Sequence, residues 1–335
     1  MTSEIKPICS IERTLLSDVI PLTAPYSVYV YPTNCCNFRC TYCAHSMSSE
    51  ELKERYNFVK EAMSLTTYIK IIEQLEQFPK RIKLLSLTGV GEPLLHKEIA
   101  TMVKIATKSG KFEKVEFISN GSLLTPKLSD QLIANGLDTL RISLQGISSK
   151  KYKEICGANI DFEYLMSNIK YFYKKRSNTK LFVKILDIAL EKNEEQYFYQ
   201  LFSDCSDRMF IEKVQPTYDG VKFTEGLERS EDRYGRKIEK REVCPLPFYM
   251  LGIFPNGDVQ PCDNLYRPVI LGNVHKKSIL EMWNSRKLRN FWRLQLQKKR
   301  NQHPKCSLCC APDDVAHPED VLDDVAEFVL DKIPS

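Results

Sequence analysis

The chain has 335 residues, 43% apolar content and a formal net charge of +5. That length exceeds one average domain and suits a barrel-like domain plus a smaller module, with enough apolar residues for a real core. No run approaches the roughly 20 apolar residues of a membrane span, no signal-like stretch opens the chain, and the mild charge carries no nucleic-acid motif. Membrane and nucleic-acid partners are therefore not expected, and the cytoplasm is the expected compartment.

In chain order, residues 1–25 read as a lead-in over one end of the fold. Val28–Tyr31 is predicted as the first strand, followed by a polar excursion over 46–65. Thr66 or Thr67 is the expected cap of a helix carrying Ile71, Ile72, Leu75 and Phe78 at helical spacing. Ile82–Leu87 reads as a strand, and the next helix, through Ile99, Met102, Val103 and Ala106, is ended by Gly110. Val115–Ser119 follows, then a helix opened by Thr125-Pro126 and ended by Gly136. Strands at Thr139–Leu144, Leu181–Ala189 and Met209–Val214 alternate with helices at 162–176 and 194–204. Six β/α units in a row predict an α/β class with a parallel sheet curved into a partial (β/α)6 barrel over 26–218. The count stops short of the eight units of a closed barrel.

Residues 219–243 are dense in charge and lack apolar periodicity, which predicts a linker. A small α+β domain over 244–312 is expected, with a hairpin from Phe248 to Cys262 turned by Pro255-Asn256-Gly257-Asp258. A long helix is predicted over 278–299, and an amphipathic helix through Val321, Val325, Phe328 and Val329 within 313–335. Basic concentrations at 229–241 and 286–300 read as solvated helix faces or a linker.

Twelve cysteines are too many for idle use in a reducing compartment, and they fall into groups. Cys36, Cys40 and Cys43 follow the first strand in a Cys-x3-Cys-x2-Cys run with Tyr42 before the last. Structural zinc takes four ligands, whereas three thiolates on a [4Fe-4S] cluster leave one iron open to a small molecule. Cys244, Cys262, Cys306 and Cys309 form a second set, for which four-thiolate zinc is a rival by spacing alone. Cys35 and Cys310 adjoin these ligands and could exchange with them by one register, while Cys9, Cys156 and Cys205 stand alone as expected buried fillers.

The first run resembles the cluster loop of the radical S-adenosylmethionine (radical SAM) enzymes. Thr88-Gly89-Val90-Gly91-Glu92-Pro93 resembles that family's Gly-Gly-Glu-Pro motif, and Ser119-Asn120-Gly121 its Thr-Asn-Gly. Ser143-Leu144-Gln145 stands where Ser-x-Asp is common. The resemblance implies that the open iron chelates the methionine end of SAM and that one electron then releases a 5′-deoxyadenosyl radical. It implies SAM contacts at Tyr42, Gly91, Glu92, Asn120 and Ser143. Cys156 stands where many relatives carry Arg, so Lys184 is the substitute cation if a carboxylate is held there. Lys184 and Asp187 are candidate substrate contacts whose direction from the strand the sequence does not give. The later cysteines resemble the twitch form of the SPASM extension, which implies one auxiliary [4Fe-4S] cluster, fully ligated.

The resemblance thus implies two [4Fe-4S] clusters and SAM, an electron donor such as flavodoxin or ferredoxin, and a small-molecule substrate. The expected reaction is oxidation of a small polar compound, a sugar or cyclitol alcohol, with the auxiliary cluster taking or relaying an electron. Peptide modification and a non-catalytic cluster-binding protein are the alternatives.

Overall fold

In the computed structural model of the chain, residues 3–7 and 13–334 are described; Cys9 lies outside them. The first half comprises β1 (Glu4–Ile5), α1 (Leu16–Val19), β2 (Ser27–Val30), α2 (Ser49–Tyr56), α3 (Leu65–Glu76), β3 (Leu84–Ser86), α4 (Ile99–Lys108), β4 (Val115–Ser119) and α5 (Pro126–Ala134). Then come β5 (Thr139–Leu144), α6 (Ser149–Cys156), α7 (Phe162–Lys175), β6 (Lys180–Leu186), α8 (Glu194–Phe202) and β7 (Arg208–Glu212). The C-terminal part holds β8 (Met250–Ile253), β9 (Asp258–Gln260), β10 (Gly272–Asn273), α9 (Ile279–Trp283), α10 (Arg286–Leu296), α11 (Ala311–Val315) and α12 (Ala326–Lys332).

Among the described residues, all strands join one ten-stranded sheet in the order β1-β7-β6-β5-β4-β3-β2-β8-β9-β10. The run from β2 to β7 is parallel, with helices in the crossovers, as the six β/α units predict. Two further parallel strands widen it: β1 beside β7 and β8 beside β2. The hairpin β8–β9 therefore extends the barrel sheet instead of standing apart. Its turn forms where expected, with Gly257 at φ +85°, a conformation that favours glycine.

Side chains on strands alternate between the helix-packed face and the sheet interior. Val28, Val30, Leu85, Leu87, Leu140 and Ile142 bury fully in the core against the helices. Tyr29, Glu116, Arg141 and Lys184 point the other way, into the lumen.

Several local expectations are corrected. The 46–65 excursion contains α2, started by a reciprocal cap in which Glu51 N–H donates to Ser48 Oγ (3.1 Å) and Ser48 N–H to Glu51 Oε2 (2.8 Å). The cap of α3 is Ser64, whose Oγ accepts from Thr67 N–H at 3.1 Å, so neither Thr66 nor Thr67 starts it. The predicted 278–299 helix breaks at Asn284-Ser285 into α9 and α10, because Ser285 caps a new start by accepting from Leu288 N–H at 3.2 Å. The break lets both tryptophans find buried partners: Trp283 donates to Leu22 O at 3.0 Å and Trp292 to Pro247 O at 2.7 Å. The final helix is shorter than predicted, with Val321 and Val325 outside it and Phe328 59% exposed. Residues 187–189 form a 3-10 turn, not strand. Among the described residues no helix is long and apolar enough to cross a membrane.

Candidate cluster and cofactor site

The cysteine loop leaves β2 at the carboxyl end of the sheet, where parallel folds bind ligands. Four elements fix it. Asn34 N–H donates to Glu61 O at 2.8 Å. Glu92 N–H, after β3, donates to Cys35 O at 2.8 Å. Asn120 Nδ2, after β4, donates to Asn37 Oδ1 at 2.9 Å. At the end of α6, the carbonyls of Ile155 and Cys156 accept from Thr41 and Arg39 N–H at 2.9 and 3.1 Å. The loop thus takes its shape mostly from backbone bonds, and none of its cysteines is in a disulfide.

Gly91 is required by close approach. A Cβ there would lie 2.3 Å from Thr33 O and 2.6 Å from Cys35 O. The carboxylate of Glu92, one of the expected SAM contacts, also holds the fold. It is buried and accepts from Leu94 N–H (2.9 Å), Ser119 Oγ (2.7 Å) and Asn120 N–H (2.7 Å), which fixes the end of β4. Asn120 Oδ1 accepts from Ser122, so its side chain bridges two loops. Tyr42 donates to Gln145 Oε1, joining the cysteine loop to the exit of β5. Ser143 stands level with Lys184 across β5–β6 and on the strand face that carries Arg141. The structure therefore gathers Tyr42, Gly91, Glu92 and Asn120 around the Cys36–Cys43 loop, with Ser143 at its lumen side.

Cys156 is buried as expected, its Sγ–H donating to Tyr152 O at 2.9 Å. Cys205 is buried as expected.

Cys244, Cys262, Cys306 and Cys309 line one cavity between the β8–β9 hairpin and α10, and Cys310 does not. Two buried amides point at its sulfurs: Asn264 Nδ2 donates to Cys309 Sγ at 3.4 Å and Gln295 Nε2 to Cys306 Sγ at 4.0 Å. Burial pushes the Cys306 thiol up to about 11 and the Cys309 and Cys36 thiols up to about 12. Thiolates at such depth need a positive centre to compensate them. Four converging thiols with amide donors aimed at sulfur fit an iron-sulfur cluster, and the three-thiol loop fits a cluster with one open iron. Among the described residues no three His, Cys, Asp or Glu side chains close around a point the size of one metal ion.

Between the two cysteine sets runs a lumen of about 810 Å³. Its walls carry charge that, apart from Lys184, sequence reading did not assign. Glu116 pairs with Arg141 (3.2 Å) and Lys114 (3.1 Å), and Lys184 with Glu212 (2.6 Å). Arg233, from the expected linker, pairs with Asp314 through Nε at 2.8 Å. Burial alone would raise the Glu116 carboxyl, but Arg141 and Lys114 hold it below the usual range. Asp263 follows the ligand candidate Cys262 and lines the same lumen, and burial raises its carboxyl. Tyr31 donates to the Asp263 carbonyl at 2.5 Å. Lys184 thus faces inward, but its charge is spent on Glu212. Asp187 caps the strand end, accepting from Ile188 and Val214 N–H. Arg141 was findable, because it lies two residues before Ser143 and so shares its face.

The family model described as the Radical SAM superfamily matches residues 30–202, and one described as an iron-sulfur cluster-binding domain, SPASM, matches residues 244–310. GTP 3',8-cyclase of Clostridium perfringens (strain SM101 / Type A) is 28% identical over 215 residues, covering 62% of this chain and 61% of that protein. The chain thus spans less than two thirds of that curated relative's length. The structure of BtrN in complex with AdoMet and 2-DOIA aligns with a TM-score of 0.56 at 17% identity, over 85% of this chain and 92% of that one. Streptococcus suis SuiB bound to S-adenosylmethionine aligns with a TM-score of 0.63 at 15% identity, over 93% of this chain and 79% of that one. At these identities the two structures share the fold.

Proposed function

Since the chain belongs to the radical SAM superfamily and carries a SPASM iron-sulfur domain, with two [4Fe-4S] clusters and SAM as its cofactors, we propose that it oxidises a small polar substrate held in the lumen. Cys36, Cys40 and Cys43 would hold the SAM-binding cluster, and Cys244, Cys262, Cys306 and Cys309 the auxiliary one. When bound and reduced, the first cluster supplies the electron that cleaves SAM to methionine and a 5′-deoxyadenosyl radical.

The observation that carries the reading is that one lumen touches both sites: Val90 and Gly89 line it beside the cysteine loop, and Asp263 lines it beside Cys262. The chain's own residues position and shield. Tyr29, Tyr218 and Tyr234 wall the lumen and offer hydroxyls to a polar substrate. The ion pairs of Arg141 and Lys184 hold fixed charge on the wall without a mobile counterion. Asp263 stands where a substrate near both sites would meet a carboxylate.

A lumen of this size also supports a second reading, in which a peptide side chain enters it. Anaerobic incubation with sugar, cyclitol and peptide pools, read by mass spectrometry as 5′-deoxyadenosine forms, separates the two. Conversion in the sugar or cyclitol pool is the expected result; conversion confined to the peptide pool would replace the first reading with the second.

A further inference from the structure

We propose that the lumen holds its substrate by a carboxylate seated on Arg141, which makes the small polar compound a hydroxy acid of the sugar or cyclitol type. This rests on the reading of the lumen as the substrate site.

The first observation is the guanidinium of Arg141. It lines the lumen from β5, level with Phe182 on β6, and keeps 11% of its side chain exposed. Among the described residues its one hydrogen bond runs from Nη1 to Glu116 Oε1 at 3.2 Å, and Nε is buried with no acceptor. Arginine grips a planar carboxylate through two parallel N–H donors. This chain shows that grip at Arg176, whose Nε and Nη2 donate to the two carboxylate oxygens of Asp207 at 3.0 and 2.9 Å. On Arg141 the same Nε edge meets no acceptor among the described residues. A buried donor without a protein acceptor is costly in a finished fold, so an acceptor from outside suits it.

The second is the local balance of charge. Glu116 serves two cations, Arg141 and Lys114, while Lys184 is matched by Glu212 and Arg233 by Asp314. Around Glu116 four cations thus meet three acids, and one positive charge is left over. Asp263 lines the same lumen but has no cation within ion-pair range among the described residues. A carboxylate brings the single negative charge that the surplus needs. A phosphate monoester brings close to two and would meet Asp263 as well.

The third is the set of hydroxyls. Tyr29, Tyr218 and Tyr234 line the lumen, and among the described residues their hydroxyls bond to no protein group. They suit the hydroxyls of a polyol, which can donate and accept in turn. Ser143, an implied SAM contact, lies two residues along the strand on the same face as Arg141, roughly 7 Å nearer the cysteine loop. A short hydroxy acid held at Arg141 reaches that level with its carbinol carbons.

The test incubates unreduced, cluster-loaded enzyme and SAM with an equimolar pool, filters off free compounds and identifies the retained ones by mass spectrometry. The pool holds glucuronate and quinate, glucose and inositol as neutral counterparts, and a glucose monophosphate. Wild type should retain the carboxylates about tenfold over the neutral compounds. Arg141→Gln should remove most of that preference, and Arg141→Lys, with the charge but without the two-donor edge, should restore part of it. Glu116→Gln, which releases the guanidinium from its protein acid, should raise carboxylate retention, an effect that a merely structural role would not produce. If Arg141→Gln loses its iron, Glu116→Gln carries the test. Neutral compounds or the phosphate retained above the carboxylates, equal carboxylate retention in wild type and variants, or no carboxylate retained would overturn the proposal. Retention is read without reductant, so a carboxylate that binds through Arg141 and is never oxidised would count against the oxidation reading alone.

Discussion

Glu92 shows how one residue placed by a motif can also hold the local fold together. Its three donors would be left unpaired and buried in Glu92→Ala, at roughly 1–3 kcal/mol each and not additively. Glu92→Ala is therefore expected to lower the thermal unfolding midpoint by several degrees and to weaken SAM binding through a loosened β4 exit. Glu92→Gln, which keeps an amide carbonyl to accept from Asn120 or Ser119, should recover part of both. Calorimetry of the two variants checks this, and an unchanged midpoint in Glu92→Ala would place the carboxylate elsewhere. The sequence located Glu92, Gly91 and Asn120 at strand ends, since turn residues after apolar runs are readable. It did not give the direction of the Glu92 side chain, because that depends on β4 lying beside β3. The same limit hid Arg141 and Glu116: charged residues inside a strand read as solvent-facing until the sheet curves around them.

At the scale of elements, long apolar periodicities were legible and short polar ones were not. The parallel strands from β2 to β7 and the helices α3, α4, α5 and α7 follow from their spacing. The helix α2 escaped because only Leu52 and Tyr56 of its eight residues are buried, leaving its cap as the sole signal. The pairing of β8 with β2 was also out of reach, since nothing local marks a long-range parallel partner. Because β8 joins the sheet, the auxiliary cysteines are tied to the barrel and both sites should load in one molecule. Anaerobic reconstitution is expected to give about eight irons and eight sulfides per chain, on the basis of one [4Fe-4S] centre per cysteine set. Replacing Cys36, Cys40 and Cys43 with Ala should leave about four of each. Tightly bound zinc at the second set after iron-replete expression would contradict the assignment.

For the whole molecule, the proposed oxidation uses the lumen that reaches residues beside both cysteine sets, and under that proposal hydrogen abstraction and electron removal are separable steps. A folded Cys306→Ala/Cys309→Ala variant, given substrate deuterated at the attacked carbon, should still pass deuterium to 5′-deoxyadenosine while oxidised product falls sharply. Undiminished product from protein shown to lack the second centre would remove the electron-transfer role. The most direct measurement comes before any substrate is known. Reconstituted enzyme, reduced anaerobically, is incubated with SAM, and methionine and 5′-deoxyadenosine are quantified for wild type and for Cys40→Ala. The expected result is both products from wild type and neither from the variant. A loaded and reduced wild type that neither binds SAM nor releases 5′-deoxyadenosine, with or without the substrate pools, would contradict radical catalysis at this loop.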